Sequence, residues 1–381
     1  MRVLIDYRPA LRERSGVGEY AHGLAVALLK TRAAQSIAGA PLHVTLFSSS
    51  WKHRVTRESD LDGASIVDRR VPVSVLNFAW HRLQWPPVES FVDGPLDVVQ
   101  SLHPLLMPTR RAAQVVTVHD LNFLQHPERT RAEIRRDYPA LARAHAQQAD
   151  RVIVVSQFTA REVERLLDVP PDRISVCPPT APAWTPRSGE TRKDPYVLFF
   201  GTLEPRKNVG ALLDAYERIL TRGTPMLPLV LAGKATEQSG PWLERIARAP
   251  LAGHVRHIGY VDPADRRALY EGARVLVQPS FEEGFGLPVL EAMTLGVPVV
   301  AARRGALPEL LGDAGVLVEP EDVEAFAQAI ERIVEDRVLA ATAVAAGIAR
   351  AQQFTWERTA TTTLAAYRAA IEHRTAQRGA A

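Results

Sequence analysis

Two glutamates in the segment Pro279–Met293 could bring their carboxylates to one site. Glu283 and Glu291 are separated by the run Gly-Phe-Gly-Leu-Pro-Val-Leu. Glycines let the backbone approach a ligand closely, and proline suits the first turn of a helix. Because the apolar residues 275–277 predict a strand before this run, we expect a strand, a glycine loop and a helix in succession. The carboxylates could share acid-base work, as in glycosidases, or hold the hydroxyl groups of a polyol.

Two adjacent cations, Arg206 and Lys207, follow a predicted strand at Tyr196–Phe200 and a turn that begins at Gly201. Cations at the start of a helix oppose the helix dipole, so a bound anion would relieve the conflict. Arg206 can donate paired hydrogen bonds to phosphate oxygens, while Lys207 adds a compact charge. The segment therefore favours a diphosphate site. Two exposed surface cations are the alternative.

His119 and a pair of glycines mark two further candidate positions. His119 follows the apolar run 115–118, at the carboxyl end of a predicted strand, where open α/β sheets bind ligands. It could bond a sugar hydroxyl or have a structural role, and Asp120 could orient it or cap the next helix. Gly16 and Gly18 precede a helical pattern and could present amides to phosphate or form a tight turn. The third glycine of the dinucleotide fingerprint is missing, which argues against a nicotinamide-dependent enzyme.

Composition narrows the class of protein. A chain of 381 residues with 46% hydrophobic content predicts two domains with well-filled cores. The single cysteine, Cys177, excludes a disulfide framework and a thiolate metal cluster. The spacing of the histidines and carboxylates predicts no metal site. A formal net charge of +3 is too small to indicate nucleic-acid binding.

The chain also lacks the sequence features of secretion and of membrane insertion. It begins directly with a short strand pattern at Val3–Asp6, so we expect a cytoplasmic protein that is not exported. Runs of about 18 apolar residues, as a membrane-spanning helix needs, do not occur, although attachment to a membrane surface remains open. Arginines cluster at residues 69–70, 110–111 and 129–136 of the first half, where they could face an anionic acceptor or lipid headgroups. A merely solvated face is the alternative.

Short apolar strands alternate with helical patterns along the whole chain, which predicts an α/β fold with two doubly wound parallel sheets. A proline-rich stretch at residues 178–190 predicts the linker between domains 1–184 and 190–365, and residues from about 366 to 381 are expected to pack back on the first domain. The aromatic residues Phe78, Trp80 and Trp85 could line an acceptor site or fill a core. The predicted strands are Val3–Asp6, His43–Phe47, Asp97–Gln100, Val115–His119, Arg151–Val155, Tyr196–Phe200, Leu229–Ala232, Val255–Ile258, Ala273–Gln278, Val297–Ala301 and Val316–Val318.

Together these motifs resemble the retaining glycosyltransferases of family 4, which have the GT-B fold. The resemblance runs along almost the whole chain, and its most specific parts are Gly201–Asn208 and Pro279–Val299. The run His119–Phe123 is similar to the mannosyltransferase-like branch. The resemblance implies two Rossmann-like domains facing across a cleft, with the donor bound mainly by the second and the acceptor mainly by the first.

The resemblance also implies roles for individual residues of the second half. Glu283 and the amides of Phe285 and Gly286, in a loop that contains Gly284, would hold the transferred sugar. Glu291 would accept hydrogen bonds from the nucleotide ribose.

In the same way, Arg206 and Lys207, in the turn that starts at Gly201, would neutralise the donor diphosphate. His119 would contact the donor sugar or its developing charge, and the loop Gly16–Gly18 would close over the diphosphate. The acceptor hydroxyl would attack on the same face as the diphosphate departs, with a phosphate oxygen taking the proton. No cofactor or metal ion would be needed. In the glycosidase-like alternative, Glu283 would be a nucleophile.

The resemblance favours GDP-mannose, or a related GDP-deoxyhexose, over UDP sugars as donor. The acceptor would be a saccharide or a lipid-linked saccharide at a membrane surface. Two other functions remain open at this stage. One is a nucleotide-sugar epimerase of the same fold, and the other is a catalytically silent subunit that binds nucleotide sugar.

Overall fold

A computed structural model of the chain describes residues 1–11, 16–34, 41–56, 58–127, 132–188, 194–223 and 225–380. The chain divides into two compact units. Unit 1 contains Met1–Pro179 and Thr355–Ala381, and unit 2 contains Thr180–Phe354. Of the sequence features above, Arg129, Arg131 and the linker end at residues 189–190 lie outside the described residues.

Strands and helices alternate through both units. The strands are β1 (Arg2–Asp6), β2 (His43–Ser49), β3 (Ser65–Arg69), β4 (Val98–Ser101), β5 (Ala113–Val118), β6 (Arg151–Val154), β7 (Ile174–Val176), β8 (Tyr196–Phe200), β9 (Leu229–Ala232), β10 (Val255–Gly259), β11 (Ala273–Gln278), β12 (Val299–Ala302) and β13 (Val316–Val318). The helices are α1 (Val17–Ala34), α2 (Val73–Phe78), α3 (Asn122–Gln125), α4 (Ala132–Gln148), α5 (Gln157–Leu167), α6 (Val209–Thr221), α7 (Gly240–Ile246), α8 (Pro263–Gly272), α9 (Leu287–Leu295), α10 (Leu307–Leu311), α11 (Val323–Glu335), α12 (Arg337–Ala351) and α13 (Trp356–Ala380).

Unit 1 is built on a 7-stranded sheet with the order β3-β2-β1-β4-β5-β6-β7, in which every pair is parallel. The strands β4 and β5 are buried along their whole length, as expected where helices cover both faces of a parallel sheet. Because the strands run in one direction, their carboxyl ends share one edge. Asp6 ends β1 at this edge, and His103 and His119 follow β4 and β5 there.

The C-terminal helix α13 belongs to unit 1 over its whole length and packs against α1 and β5. The Trp356 ring occupies the space beside Gly23, where a Cβ atom would lie 2.1 Å from the ring. Thr359 Oγ1 donates a hydrogen bond to the Pro178 carbonyl oxygen at 2.6 Å, and the Tyr367 hydroxyl donates to the Gln100 side chain. The return to unit 1 therefore begins at Thr355 and not at residue 366, because Trp356 and Thr359 in the first turn of the helix already contact unit 1.

Unit 2 is built on a 6-stranded parallel sheet with the order β10-β9-β8-β11-β12-β13. The loops after β8, β11 and β12 leave the same edge of this sheet. The loop after β11 leads into α9, which has Pro288 in its first turn and ends at Gly296 with a φ of 71°. The strand, glycine loop and helix predicted around Glu283 are thus present.

The two parallel sheets confirm the predicted fold class, and each predicted strand is present within a few residues. The sequence reading missed β3 and β7, the two edge strands of the first sheet. Both are short and only partly buried, so they lack the continuous apolar run that marks the central strands. The boundary between the units lies at residues 179–180, several residues before the predicted linker centre. Among the described helices, none is long and apolar enough to cross a membrane.

Candidate functional site

Asn208 joins the cation-bearing turn of unit 2 to the loop that follows β11. Its backbone has a left-handed conformation, with a φ of 55°, at the start of α6. Its side-chain amide donates hydrogen bonds to the carbonyl oxygens of Pro279, at 3.1 Å, and Pro320, at 2.8 Å. The Phe281 amide donates to the Arg206 carbonyl oxygen at 2.8 Å. These bonds fix the turn and the loop against each other.

Glu283 lies at the centre of this arrangement, and its carboxylate accepts bonds from several side chains. Its Oε1 accepts from Lys207 Nζ at 2.6 Å, from Gln278 Nε2 at 2.8 Å and from Ser280 Oγ at 2.8 Å. Its Oε2 lies 3.5 Å from Arg206 Nη1. Three donors on one oxygen hold the carboxylate in a single orientation and leave Oε2 as the atom that could contact a ligand.

The same contacts set the ionisation of Glu283. Burial raises its pKa, but the charges of Lys207 and Arg206 and the bonds from Lys207 and Ser280 outweigh burial and lower the pKa to about 2. Glu283 is therefore a carboxylate at neutral pH. A carboxylate that is stabilised so strongly is a weak base, which argues against general-base work at this position.

Lys207 is buried, and its ammonium group is the nearest cation to Glu283. Burial and the neighbouring Arg206 charge lower its pKa, and Glu283 opposes that shift. An ammonium group carries three donors, so the bond to Glu283 leaves two for a ligand. Gly201 lines the Lys207 stem, since a Cβ at this glycine would lie 3.6 Å from Lys207 Cε.

Arg206 is more exposed than Lys207 and lies beside the carboxylates of Glu204 and Glu283. Its Nε lies 2.6 Å from Glu204 Oε1, and its Nη1 donates to the Glu282 carbonyl oxygen at 3.3 Å. The guanidinium therefore connects Glu204 with Glu283, and an incoming diphosphate would compete with Glu204 for its donors. The structure brings the two predicted cations and Glu283 together, as one site requires.

Gly305 supports the Glu283 backbone from the loop after β12. A Cβ at this position would lie 2.7 Å from the Glu283 carbonyl oxygen and 2.8 Å from its amide nitrogen, and its φ is 63°. The Ala306 amide donates to the same carbonyl oxygen at 2.9 Å. A glycine is required here so that the two backbones can approach this closely.

The loop beyond Glu283 ends at Gly286, whose φ of 103° turns the chain into α9. The amides of Phe285 and Gly286 lie just before this helix, and amides at a helix N-terminus can bind polar ligand atoms. The Phe285 ring packs edge-on against Phe354, with centroids 5.7 Å apart. Gly284 lies between Glu283 and these amides, so a single loop carries the carboxylate and both amides.

Glu291 lies in the second turn of α9 and has partners that the sequence analysis missed. Its Oε1 is 3.3 Å from Arg266 Nη1, and both side chains are buried. Burial raises the pKa of Tyr270 well above its usual value, and the nearby charge of Glu291 raises it further. Arg266 and Tyr270 come from α8, which shows no sequence motif. Glu283 and Glu291 therefore have separate partners, and the structure gives no support for shared acid-base work.

In unit 1, His119 is held in one tautomer. Its Nε2 donates to the Leu102 carbonyl oxygen at 3.2 Å, and its ring packs edge-on against Tyr20 at 5.0 Å. Burial lowers its pKa to about 4, so the ring is neutral near pH 7. Since Nε2 carries the proton, Nδ1 is a hydrogen-bond acceptor. Asp120 accepts a bond from the Asn122 amide at 3.3 Å, at the start of α3.

Gly16 and Gly18, the two candidate glycines of unit 1, differ in their surroundings. A Cβ at Gly18 would lie 2.9 Å from the Pro9 carbonyl oxygen, so packing against the preceding turn requires this glycine. Gly16 has a φ of 50° and open space at its Cβ position, and its carbonyl oxygen accepts from the Tyr20 amide at 3.0 Å. A role of either glycine in donor binding stays a prediction.

The sequence analysis missed a buried charged group at the carboxyl edge of the first sheet. Arg8 donates to both oxygens of Asp6, from Nε at 2.8 Å and from Nη2 at 2.7 Å. The Leu105 amide donates to His103 Nδ1 at 3.2 Å, so His103 carries its proton on Nε2, which lies 3.4 Å from Asp6 Oδ2. The Arg8 and His103 contacts, against the effect of burial, hold the Asp6 pKa well below its usual range. The positions of Asp6 and His103 at strand ends were the available signal.

His81 and His145 extend this group. The His81 ring lies edge-on to His103 at 5.8 Å and to His145 at 6.1 Å. Its buried Nε2 has no hydrogen-bond partner among the described residues, and burial, together with the nearby charged groups, lowers its pKa to about 3. His145 Nδ1 accepts from the Leu106 amide at 2.9 Å. Neutral imidazoles beside a fixed ion pair suit the hydroxyl groups of a saccharide better than they suit an anion.

The aromatic segment of unit 1 divides between the two expected environments, a core and an exposed surface. Trp80 is fully buried and donates from Nε1 to the Pro86 carbonyl oxygen at 2.9 Å, whereas Phe78 and Trp85 are exposed. Within the described part of the chain, His22, Glu58 and Asp60 bring possible metal ligands within 4.8 Å of one another, although their sequence spacing gave no such indication. His22 Nε2 lies 3.0 Å from Asp60 Oδ2.

Comparison with known families and proteins places this site in context. A family model described as "Glycosyl transferases group 1" matches residues 194–336, and one described as "Glycosyltransferase Family 4" matches residues 15–181. O-antigen chain mannosyltransferase B of Escherichia coli is 35% identical over 273 residues, which cover 69% of this chain and 72% of that protein. The serotype-specific mannosyltransferase WbdA of E. coli is 31% identical over 264 residues, but the matched part spans only 32% of that protein.

Solved structures share the fold at lower identity. Sucrose-phosphate synthase of Thermosynechococcus elongatus superposes with a TM-score of 0.75 at 22% identity and covers 96% of this chain and 98% of that chain. WaaG, a glycosyltransferase involved in lipopolysaccharide biosynthesis, superposes with a TM-score of 0.69 at 17% identity, with coverage of 96% and 98%. These likenesses extend over both units.

Proposed function

The chain belongs to glycosyltransferase family 4, and we propose that it is a retaining transferase that moves mannose or a related deoxyhexose from a nucleotide diphosphate sugar to a glycan or lipid-linked acceptor. The observation that carries this proposal is the contact of Lys207 and Arg206 with Glu283 at the carboxyl edge of the second sheet. This contact brings two cations that could bind a leaving diphosphate next to a carboxylate that could bind a sugar.

Lys207 and Arg206 are proposed to hold the diphosphate of the donor. Lys207 Nζ has donors left after its bond to Glu283, and Arg206 can exchange Glu204 for phosphate oxygens. Charge on the departing diphosphate grows as the sugar–oxygen bond breaks, so cations fixed before the reaction stabilise the transition state more than the ground state. Because these side chains supply the positive charge, the proposed reaction needs no metal ion and no cofactor.

Glu283 is proposed to hold the transferred sugar and not to attack it. A nucleophilic carboxylate must move onto the anomeric carbon, whereas the three bonds to Oε1 hold this carboxylate in one orientation, and a pKa of about 2 makes it a weak nucleophile. We propose that Oε2 accepts a bond from a sugar hydroxyl and that the amides of Phe285 and Gly286 hold the same sugar. Glu291, whose Oε1 lies 3.3 Å from Arg266 Nη1, would accept bonds from the ribose hydroxyls.

The proposed chemistry is substitution on one face of the sugar. The bond between the anomeric carbon and the diphosphate oxygen breaks, and the acceptor oxygen bonds to that carbon from the same side. The acceptor hydroxyl loses its proton to an oxygen of the departing phosphate, so no protein base is required. The strong acidity of Glu283 agrees with this assignment, since a carboxyl with a pKa of about 2 takes up protons poorly near neutral pH.

Mannose is proposed as the transferred sugar, because O-antigen chain mannosyltransferase B and WbdA of E. coli are both named mannosyltransferases. GDP is proposed as the nucleotide, because the resemblance of the motifs favours GDP sugars. The acceptor is proposed to be a saccharide, free or linked to a lipid. His119 Nδ1 would accept a bond from a sugar hydroxyl.

An epimerase or a silent scaffold subunit is less favoured, since the charged residues Arg206, Lys207, Glu283 and Glu291 are all present and the relatives are named transferases.

Thermal-shift measurements with a panel of GDP and UDP sugars test the donor. We expect GDP-mannose to raise the melting temperature of the wild-type protein. The increase for Lys207→Ala should be smaller. Stabilisation by UDP sugars alone would contradict the donor assignment.

Transfer to a saccharide acceptor, followed by NMR of the product, tests the mechanism: an α-linked mannoside is expected, and a β-linkage would refute retention. Formation of a new nucleotide-sugar isomer without acceptor would instead indicate an epimerase.

A further inference from the structure

Helix α10 supports the loop Glu283–Gly286, which we call the sugar loop, at both of its ends. The Ala306 amide, directly before α10, donates to the Glu283 carbonyl oxygen at 2.9 Å. At the other end, a Cβ atom on Gly286 would lie 2.7 Å from Leu307 Cδ2 and 3.2 Å from Leu310 Cδ2. The position of the sugar loop therefore depends on the position of α10.

Helix α10 is itself held in place by Arg350, near the end of α12. A helix of five residues is too short to be stable by itself, and the carbonyl groups of its last turn cannot be bonded within the helix. Arg350 Nη2 donates to the Glu309 carbonyl oxygen at 2.7 Å, and its Nε donates to the Leu310 carbonyl oxygen at 3.0 Å. One guanidinium group thus ties the end of α10 to α12.

Phe354 connects the same guanidinium group to the sugar loop. Arg350 Cζ lies 5.5 Å from the centre of the Phe354 ring, within the range of a cation–π contact. The Phe354 ring in turn meets the Phe285 ring edge-on, with centroids 5.7 Å apart. The Phe354 amide donates to the Ala351 carbonyl oxygen at 3.0 Å, and the Phe354 carbonyl oxygen accepts from Thr180 Oγ1 at 2.6 Å. The Phe285 ring therefore packs against a partner whose backbone is fixed.

We propose that Arg350 and Phe354 are positioning residues, which hold the amides of Phe285 and Gly286 where the transferred sugar binds. Neither residue lies in the sugar loop, since Arg350 acts through α10 and Phe354 acts through the Phe285 ring. The proposal rests on the proposed function for the role of this loop in sugar binding. Precise support matters because misplacing a group at a reacting centre by about 1 Å reduces the rate by roughly a hundredfold.

The nucleotide side of the proposed site is anchored by other contacts. Glu291 lies in α9, and α9 packs closely against α12. A Cβ atom on Gly347 would lie 3.4 Å from Met293 Cγ, and one on Gly296 would lie 3.2 Å from Ile348 Cδ1. The cations that are proposed to bind the diphosphate lie in the turn after β8. Changes at the two positioning residues should therefore weaken contacts to the sugar and spare contacts to GDP.

Calorimetric titrations of the full-length protein with GDP and with GDP-mannose test the proposal. Phe354→Leu and Arg350→Met should bind GDP with the wild-type Kd. Both should bind GDP-mannose about two- to tenfold more weakly, the effect of a lost ring contact or cation–π contact. Equal affinity of the wild type and both variants for GDP-mannose would overturn the proposal. Equal losses of affinity for GDP and GDP-mannose would also overturn it, because they would indicate a general disturbance of unit 2.

Two further variants serve as controls. Arg274→Met removes another bond from an arginine to a backbone carbonyl of unit 2, since Arg274 Nη2 donates to the Val334 carbonyl oxygen at 3.2 Å. Arg274 lies near the amino end of β11, at the opposite edge of the sheet from the sugar loop, so this variant should bind both ligands as the wild type does. Phe354→Tyr keeps the aromatic ring and should retain the wild-type affinity for GDP-mannose.

Transfer kinetics provide a readout that a merely structural role would not change. A displaced sugar loop stabilises the transition state less well, so kcat of Phe354→Leu should fall by about tenfold to a hundredfold, while KM for GDP-mannose changes less. Phe354→Tyr should restore most of the rate. An unchanged kcat in Phe354→Leu would contradict the positioning role.

Hydrogen exchange, measured without ligand, separates this proposal from the donor assignment. The Val289 amide donates to the Gly286 carbonyl oxygen at 2.9 Å, so its exchange rate reports how often the end of the sugar loop opens. The rate should rise about two- to tenfold in Phe354→Leu and in Arg350→Met, and it should keep the wild-type value in Arg274→Met. Faster exchange in a protein that does not bind GDP-mannose would contradict the donor assignment and support the positioning role. Wild-type exchange rates in both variants would overturn the positioning role, whichever donor the protein binds.

Discussion

The Lys207 ammonium lies 2.6 Å from Glu283 Oε1, and both side chains are buried. This contact joins the turn after β8 to the loop after β11, so that the two predicted binding elements share one charged pair. Burying two charges costs much of what their attraction returns, and such a pair contributes little net stability. Its value here is geometric, since it orients a carboxylate and a cation toward the same ligand.

The first prediction concerns this pair. Lys207→Met should reduce transfer by at least about a hundredfold, because the departing diphosphate loses a fixed positive charge worth several kcal/mol in the transition state. Glu283→Gln should also reduce transfer, with a larger effect on kcat than on KM. Transfer rates with saturating donor and acceptor provide the measurement.

Stability should follow a different pattern from activity in the same variants. Lys207→Met alone leaves a buried carboxylate with one cation fewer and should destabilise the fold by about 3 kcal/mol. The double variant Lys207→Met/Glu283→Gln removes both charges and should be more stable than Lys207→Met, although it stays inactive. Urea unfolding of the three proteins checks this. Strictly additive losses of stability would mean that the two side chains do not interact as the structure shows.

The second prediction concerns acid stability. The pKa of Glu283 lies near 2 in the fold, below its ordinary value of 4.5. A carboxyl whose pKa is lowered by folding stabilises the fold above its unfolded pKa, and this contribution is lost as pH falls from about 4.5 toward 2. Wild type should therefore lose up to about 3 kcal/mol more than Glu283→Gln between pH 6 and pH 2.5. Parallel acid-unfolding curves for the two proteins would show that Glu283 is not ionised by its neighbours.

The third prediction uses two glycines that both have a positive φ. Gly305 and Gly312 have φ values of 63° and 54°. A Cβ at Gly305 would meet the Glu283 backbone at 2.7 Å, whereas at Gly312 nothing lies within 4 Å. Gly312 has a φ of 54° and a ψ of −129°, a conformation that favours glycine, so Gly312→Ala should destabilise the fold by about 1–3 kcal/mol and leave transfer unchanged. Gly305→Ala should displace Glu283 and reduce transfer at least tenfold at a temperature where both variants are folded. Equal activity of the two variants would contradict a positioning role for Gly305.

Much of the fold and part of the site could be predicted from the sequence, for identifiable reasons. The central strands are continuous apolar runs, and glycines and prolines mark the turns that follow them. Glu283 and the Arg206–Lys207 pair occupy such turns, so the parallel arrangement of the strands puts them on one edge of the sheet. The pairing of β8 with β11 then brings them together. Edge strands β3 and β7 were missed because partial burial requires no continuous apolar run.

The missed site residues are those whose importance depends on tertiary contacts. Arg266 lies within helix α8, where a single arginine is indistinguishable from a solvated one until its contact with Glu291 is known. Gln278 ends a buried strand, and its bond to Glu283 depends on the bend of the following loop. Asp6 and His103 lie at two strand ends far apart in sequence. Only the strand order, with β1 next to β4, brings them together.

The last prediction distinguishes the roles of the two ring nitrogens of His119. Its Nε2 donates to the Leu102 carbonyl oxygen at 3.2 Å, and its Nδ1 is the proposed acceptor for a sugar hydroxyl. The amide of glutamine can reach the Nε2 position, whereas the amide oxygen of asparagine lies near the Nδ1 position. His119→Gln should therefore keep the fold but lose transfer by about tenfold to a hundredfold, the effect of a lost hydrogen bond. His119→Asn should be less stable and retain more activity.

The pH dependence of these variants gives a second check. Burial lowers the His119 pKa to about 4, so the ring stays neutral from pH 6 to 8 and the activity ratio of wild type to His119→Gln should be constant over that range. A histidine whose pKa is lowered by folding stabilises the fold above its unfolded pKa of about 6.5, and this contribution is lost as pH falls toward 4. A ratio that changes with a midpoint near pH 6.5 would show that His119 titrates as an exposed histidine does, and it would remove the basis for assigning Nδ1 as the acceptor.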